Sequence, residues 1–322
     1  MSGYENISAI DSVLPGTGAA VLLALLLDWL LGEPRRWHPL IGLGRWVAAV
    51  ESRLNHSGCG RGQGVLGLLL VLVPVLAATG LLVTLIADVA LLATLVNAVL
   101  LYLVIGARSL AEHARAVSTA LTSDNIDWAR TRVSYMVSRD TSALDEEAIA
   151  RATLESVLEN GSDAVFAPLF WFLVAGPLGA VAYRLVNTLD AMWGYRNERF
   201  LHFGWAAARL DDWLNWVPAR LCALSYGLVT LSLDGLGRAL NAWRQQAPLC
   251  ASPNAGPVMA SGAGALNLRL GGEAIYHGQP LWRPLLGQGQ TPVGADIERG
   301  LALVRRGIYL WLLLVMVAAV GL

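Results

Sequence analysis

Apolar residues along this chain gather into long runs rather than alternating with polar ones. Residues 17–31, "TGAAVLLALLLDWLL", form the first run and reach span length when extended back to Val13, since a membrane helix needs roughly 20 apolar residues. Residues 64–106 are apolar almost throughout. That length predicts a tight helical hairpin broken near Gly80–Thr84, with arms over 64–83 and 86–106 and with Asp88 and Asn97 in the second arm. A fourth run, 164–182, is interrupted by Pro168, Gly176, Pro177 and Gly179. Such breaks fit a kinked, half or re-entrant helix, tolerated where protein or water covers the freed backbone groups. Runs at 216–233 and 304–322 complete the set.

The segment between the second and fourth runs, 107–163, reads as cytoplasmic helices. Asp124 is placed to cap a helix to about Val137. Ser142 with Asp145 resembles a capping box opening a helix to about Asn160, and Gly161 suits the position just past its end. Residues 234–303 are rich in Gly and Pro, with turn signals at "SPNAGP" and "LGG", and predict a long, mostly irregular loop. The pattern predicts an all-α, polytopic integral membrane protein of one membrane-embedded domain over 1–322, with cytoplasmic helical and loop segments.

Composition strengthens this. The chain has 322 residues, 55% hydrophobic and only 15% charged, against about a quarter charged in soluble domains. A net charge of -1 offers nothing to nucleic acid. No basic residue precedes the first run and no small-residue cleavage site follows it, so a cleavable signal peptide is not expected. Arg positions set the orientation: none in 1–34, five in 35–61 and six in 108–151. The positive-inside tendency places the start outside and both loops in the cytoplasm. Four more Arg in 184–215 favour a re-entrant 164–182, which keeps that loop inside.

Every basic residue is Arg. Lysine Schiff bases, Ser-Lys dyads and P-loop lysines are therefore excluded, and a bound phosphate must rely on Arg, backbone N–H groups or metal. Cys59, Cys222 and Cys250 make no CxxC, and the five His make no HExxH, which argues against a structural zinc site.

Six constellations carry candidate chemistry, each with a plainer alternative. "LDWLLGEPRRWHP" (27–39) offers Asp28, Glu33 and His38, or simply an interfacial belt. In "SRDT" (138–141), Arg139 and Asp140 either pair with each other or hold phosphate and metal. In "ESVLENGSDA", Glu155 and Glu159 share a helix face, followed by Asn160 and Asp163. Like charges one turn apart repel, so a cation is welcome; Mg²⁺ with phosphate oxygens is one choice, pairing of Arg151 with Glu147 or Glu155 the other. Arg184, Asn187 and Asp190 form a polar stripe beside the broken run, either a structural pair or a functional group at membrane depth. Of the adjacent Asp211 and Asp212, a helix aims at most one directly at a partner. "SPNAGPVMASGAGALNLRLGG" (252–272) could bring backbone N–H groups to an anion, but it has no Walker motif.

Taken in order, "LDWLLGEPRRWHP", "GARSLAEHA", "SRDTSALDEEAIARATLESVLEN", "YRLVNTLDAMWGYRNE", "AARLDDWLNWVPARL", "SPNAG", "AGALNLRLGG" and "IYHG" resemble the membrane-bound adenosylcobinamide-phosphate synthase family of cobalamin biosynthesis, from about residue 20 to the end. Gly161-Ser162-Asp163-Ala164 stands where that family often has Thr-Val-Asp-Gly, and Asn267 stands where it usually has Gly.

The resemblance implies ATP-driven amide formation between adenosylcobyric acid, a corrinoid, and an amino-alcohol phosphate, either (R)-1-aminopropan-2-yl phosphate or ethanolamine phosphate. It implies Mg²⁺ and ATP as cofactor and co-substrate, membrane lipid as surroundings, and a multi-pass inner-membrane location with the site facing the cytoplasm. A homo-oligomer is compatible with it. The implied catalytic carboxylates are Glu155, Glu159, Asp163 and Asp190. The metal ligands are Asp140, Glu159 and Asp163. The substrate and phosphate groups are Arg139, Asn160, Arg184, Asn187, Arg196, Asp212 and Asn254. Two rivals are a regulatory membrane protein of the related β-lactamase-induction family and a corrinoid transporter.

Overall fold

The computed structural model describes residues 4–33, 39–56, 58–276 and 279–321. Residues 34–38 of the first constellation and 277–278 of "IYHG" lie outside them. The helices are α1 (Tyr4–Leu31), α2 (Pro39–Leu54), α3 (Arg61–Ile86), α4 (Ala90–Tyr102), α5 (Ala107–Thr122), α6 (Ile126–Val133), α7 (Glu146–Gly161), α8 (Ala167–Trp193), α9 (Trp205–Leu228), α10 (Leu233–Gln246), α11 (Ala255–Leu266) and α12 (Asp296–Gly321). Two strands, β1 (Leu270–Tyr276) and β2 (Gln279–Leu286), pair antiparallel. Among the described residues, four helical stretches are long and apolar enough to cross a membrane: Arg61–Ile86, Ala90–Thr122, Glu146–Trp193 and Asp296–Val320. Gly16–Leu31 is a shorter apolar helix, and α9 is not among the four.

Internal contacts group the chain into two units, residues 1–106, 167–215 and 312–322, and residues 107–166 and 216–311. In the first unit α1 packs on α4, and α3 packs on α2 and α8. The buried positions of α3 include Gly64, Gly67 and Thr79, while Val65, Leu66, Leu69, Leu70, Val73, Leu81, Leu82 and Leu85 stay exposed. Small residues inward and leucines outward is the pattern lipid selects, because helix backbones approach closely and no water penalises the outer face. A Cβ on Gly64 would sit 2.0 Å from the Phe203 carbonyl oxygen, so that approach requires glycine.

The hairpin break falls at 87–89 and not at Gly80–Thr84. Thr84 returns its hydroxyl to the carbonyls of Gly80 and Leu81 and stays helical. The chain turns instead at Asp88, the first charged residue of the run. The break expected in 164–182 is present: Ala175 and Gly176 leave helical geometry inside α8, with Gly176 at φ 63, ψ -158, a region open essentially to glycine.

The second unit buries Ile149, Leu154, Val157 and Leu158 of α7 with Tyr226, Val258, Leu266, Ile297 and Leu301. α5 contributes Leu110, Ala114, Val117 and Leu121 from one face, the three-to-four spacing of an amphipathic helix. Helix starts differ from expectation by small steps. Asp124 takes a left-handed φ of 52, and Asn125 is the cap, accepting from the Trp128 N–H; this helix ends at Val133. Asp145 itself caps α7 through the Ala148 N–H, in place of Ser142.

Gly161 is not a helix end. α7 runs through a π turn, Ser162–Phe166, straight into α8. A Cβ on Gly161 would lie 2.7 Å from the Tyr226 hydroxyl, which donates to the Leu158 carbonyl at 3.0 Å. Glycine is there for packing, and the tyrosine gives the Leu158 carbonyl a second donor beside the Ser162 N–H. Gly161, Ser162 and Ala164, which depart from the family pattern around the retained Asp163, lie at this turn.

The irregular loop expected over 234–303 is instead α10, α11, the β-hairpin and the start of α12. Its glycines mark close packing as well as turns. A Cβ on Gly264 would lie 2.5 Å from the Arg238 carbonyl oxygen, and one on Gly262 would lie 2.6 Å from the Leu158 side chain. "SPNAGP" opens α11, Ser252 Oγ accepting from the N–H groups of Asn254 and Ala255. "LGG" carries a β-bulge with Gly271 and Gly272 at positive φ. Asn267 ends α11 in the left-handed region, φ 54, ψ 49, a position that glycine or asparagine fills.

Candidate functional site

Two polar clusters stand out, one inside each unit. In the first unit, α8 presents Tyr183, Arg184, Asn187 and Asp190 at helical spacing, and α9 presents Asp211 and Asn215 four residues apart. Asp211 accepts from Asn215 Nδ2 at 3.0 Å and from Asn187 Nδ2 at 3.4 Å. Asn215 is buried and accepts from the Tyr183 hydroxyl at 2.8 Å. Arg184 Nη1 reaches the Asn187 amide oxygen at 3.5 Å, so the alternative pairing of Arg184 with Asp190 is replaced by an amide contact. Asp190 is in electrostatic reach of Asp211 and Asp212. The N–H of Gly194 donates to the Asp190 carbonyl at 2.7 Å, and a Cβ there would lie 2.1 Å from Asp190 Oδ1. The "DAMWG" spacing thus closes the end of α8 tightly over this carboxylate.

Burial pushes the Asp211 carboxyl up to about 6; Asn215 and Asn187 pull it down, and neighbouring Asp212 pushes it further up. Asp212 is raised by burial and held back by Arg209 and Arg196. The cluster is therefore a set of acids and amides in which at least one carboxylate is poised to exchange a proton near neutral pH. Asp190, Asn187, Arg184, Arg196 and Asp212 were named from the sequence. Asp211, Asn215 and Tyr183 were not in the expected set. The i,i+4 step from Asp211 to Asn215 was the available signal, but the phase of α9 decides which of the two aspartates faces Asn187.

In the second unit Glu155 is the centre of a buried ion cluster. Its Oε1 accepts from the Gly271 N–H at 2.8 Å and from Arg283 Nη2 at 2.9 Å. Its Oε2 meets Arg139 Nη2 at 2.6 Å and Arg283 Nη1 at 2.8 Å. The Glu155 side chain is 2% exposed and that of Arg139 8%. These contacts alter two expected roles. Glu155 has both oxygens engaged and is shielded from substrate, and Arg139 is committed to it, so neither is placed to act as base or phosphate clamp. Arginine supplies the cation that the Glu155–Glu159 repulsion called for. Arg283, on β2 and 128 residues away, had no local sequence signal.

Asp140 does not pair with Arg139. Its Oδ1 accepts from the Ser142 backbone N–H and hydroxyl, which hold the carboxyl below the usual range. Arg151 pairs with Glu147, not Glu155. Asn160 is exposed and donates back to Ser156. Glu159 is in electrostatic reach of Cys250, and Asp163 in that of Tyr226 and Cys222. Among the described residues no three His, Cys, Asp or Glu side chains come together to hold a metal. Asp140, Glu159 and Asp163 therefore do not form the single metal site expected of them. A Mg²⁺ carried by phosphate oxygens needs only one or two protein carboxylates, and half-buried Glu159 is a fitting oxygen donor for that. Buried Asn254 accepts from Arg220 Nη1 at 3.0 Å.

Comparison with known proteins finds relatives over nearly the whole chain. The family described as "CobD/Cbib protein" matches residues 21–304. A Chromobacterium violaceum protein named "Cobalamin biosynthesis protein CobD" is 56% identical over 305 residues, spanning 92% of this chain and 95% of that protein. A Stutzerimonas stutzeri protein of the same name is 56% identical over 300 residues, 92% of this chain and 96% of that protein. One from Mycobacterium tuberculosis is 42% identical over 286 residues, covering 88% and 90%. No solved structure matches the chain. The family match takes in both polar clusters and three of the four long apolar helices, ending inside the fourth at residue 304, and the chain belongs to the CobD/Cbib family of cobalamin biosynthesis proteins.

Proposed function

We propose that this protein is a multi-pass inner-membrane ligase, working on the cytoplasmic side, that joins adenosylcobyric acid to (R)-1-aminopropan-2-yl phosphate or ethanolamine phosphate at the expense of ATP. The observation that carries the reading is the acid–amide cluster around Asp211, with its carboxyl near 6. The amine substrate is an ammonium at neutral pH and must lose a proton before it can attack. A base is most effective when its pKa lies close to the working pH.

The chemistry divides into two steps. A carboxylate oxygen of the corrinoid attacks the γ-phosphorus of ATP and expels ADP, giving an acyl phosphate. Asp211 first takes one proton from the ammonium; the freed amine nitrogen attacks the acyl carbon, the C–O bond to phosphate breaks with its electron pair on oxygen, and the second N–H proton leaves with the phosphate. Asn187 and Asn215 fix the Asp211 carboxylate through their amide N–H groups. Asp190 and Asp212 hold the negative field that attracts the ammonium, and Arg184 and Arg196 are the phosphate-binding groups. A Mg²⁺ borne by phosphate oxygens would supply charge neutralisation, and Glu159 of the second unit would be its protein oxygen donor.

Purified protein in detergent, incubated with adenosylcobyric acid, aminopropanol phosphate and Mg-ATP, should give the amide product by mass spectrometry together with ADP and phosphate. If no amide forms while vesicles containing the protein take up corrinoid without ATP, the protein is a carrier and this reading is wrong.

A further inference from the structure

The second unit contains a cleft of about 390 Å³ whose walls include Arg220, Trp243, Arg244, Cys250, Pro253 and Pro257. That volume lies at the small end of the roughly 300–1,000 Å³ typical of ligand clefts. It suits a nucleotide or a small phosphate ester and excludes a corrinoid ring. No acidic residue lines it. Arg220 is held in place by neutral acceptors only: Nη1 donates to the Trp216 carbonyl at 2.8 Å and to Asn254 Oδ1 at 3.0 Å, and Nη2 to the Pro253 carbonyl at 3.2 Å. Its guanidinium also lies over the Trp216 ring, 4.4 Å from the centroid. Its position is fixed and its charge is not neutralised. Arg244, in the last turn of α10, is exposed and has no hydrogen bond or ion pair among the described residues. The first N–H groups of α11 are already taken by Ser252, so an anion here would depend on the two guanidiniums. Cys250, on the wall, is in electrostatic reach of Glu159, the carboxylate assigned above to a phosphate-borne Mg²⁺.

We propose that this cleft is a phosphoryl-binding site in which Arg220 and Arg244 grip the phosphate oxygens of a small ester and Trp243 forms its apolar wall. It rests on the ligase reading for the identity of that ester, which is the triphosphate of ATP or the amino-alcohol phosphate. An anionic lipid headgroup offers the same chemistry from a different source.

Calorimetric titration of the detergent-purified full chain with inorganic phosphate, ATP and ethanolamine phosphate is the first measurement. Arg244→Gln should weaken binding of the occupying ester about tenfold or more, the loss of one charge-assisted contact. Arg220→Gln should do the same. The second measurement is alkylation of Cys250 by N-ethylmaleimide, mapped by peptide mass spectrometry, with fully buried Cys222 as the internal control for folding. The true ligand should slow Cys250 labelling, and unphosphorylated aminopropanol should not. Protection only in vesicles of anionic lipid, relative to zwitterionic ones, would support the cleft and assign it to a headgroup. Equal affinity of wild type and Arg244→Gln for every phosphate compound, with Cys250 labelled at one rate throughout, would overturn the site. Active ligation together with that result leaves the function standing without this cleft. Phosphate-ester binding that is lost in Arg244→Gln, in a protein that makes no amide, leaves the cleft standing without the function.

Discussion

Asp211 carries a built-in conflict between folding and proton transfer. Its folded pKa, about 6, lies above the ordinary 3.8 because the carboxyl is buried. The folded state therefore holds that proton more tightly than the unfolded chain does. Its contribution to stability is most favourable below pH 3.8 and is lost as pH rises through 6. Replacing the charge should then relieve the fold while removing the base. Asp211→Asn is expected to lower kcat by about 10²–10⁴-fold, the usual worth of a general base, and to leave the melting temperature at pH 7.5 unchanged or raised. In the wild type, kcat/KM for amide formation should fall about tenfold per unit below pH 6. Steady-state assays across pH 5–8 beside thermal unfolding in detergent check both halves. A variant that is equally active, or one that loses activity only through unfolding, would remove Asp211 from the mechanism. The sequence displayed the Asp211-Asp212 pair and the Asn187 stripe plainly. It could not give the rotational phase of α9, and a step of about 100° per residue decides which aspartate meets the amide.

Glu155 and Glu159 sit on the same helix one turn apart and illustrate how an element sorts similar residues into different work. Glu155 ties α7 to the segment before it and to the β-hairpin through Arg139, Arg283 and the Gly271 N–H. Removing one partner of a buried ion cluster typically costs about 3–5 kcal/mol, because the remaining charges stay buried. Glu155→Gln should therefore unfold at a clearly lower temperature and lose activity with its fold. Glu159→Gln should lose ligation while costing under about 1 kcal/mol. Paired unfolding curves and product assays distinguish them, and matching losses in both variants would contradict the division. Glycines in α11 behave similarly. Gly264→Ala would drive a methyl into the Arg238 carbonyl of α10 and should cost about 1–3 kcal/mol by overpacking, read as a lower melting point. Local rules explain why α10 and α11 were not legible. Glycine is a loop signal in a single sequence, and only the neighbouring helix shows that Gly262 and Gly264 are glycine for want of space. The capped starts of α6 and α7 fell within a few residues of expectation because caps are local; Arg283 belongs to Glu155 only through the tertiary fold.

Across the whole molecule, the solvent the protein chooses is written on the outside of its apolar helices. Val73 lies at the middle of α3 and is 56% exposed, and Leu85 and Leu91 are 74% and 71% exposed. Together with Leu66, Leu69, Leu70, Leu81 and Leu82 they make an apolar surface far more continuous than a soluble monomer tolerates. This was the most legible property of the sequence, because long runs of leucine and valine need no partner to declare themselves. What the runs could not show is which residues face inward, since an all-apolar helix has no moment to read; that is set by Gly64, Gly67 and Thr79 against their neighbours. The outward face makes a sharp prediction. A charge at the centre of a lipid-facing helix costs about 2.5–3.5 kcal/mol on insertion scales, whereas a charge on a water-facing position costs almost nothing. Val73→Arg should therefore reduce the protein recovered in carbonate-washed membranes. Val73→Leu should not, and Gln245→Arg, on an exposed polar position of α10, should not either. If Val73→Arg integrates in wild-type yield and melts as the wild type does, the α3 surface is not in contact with lipid, and the membrane placement on which the ligase reading depends must be redrawn.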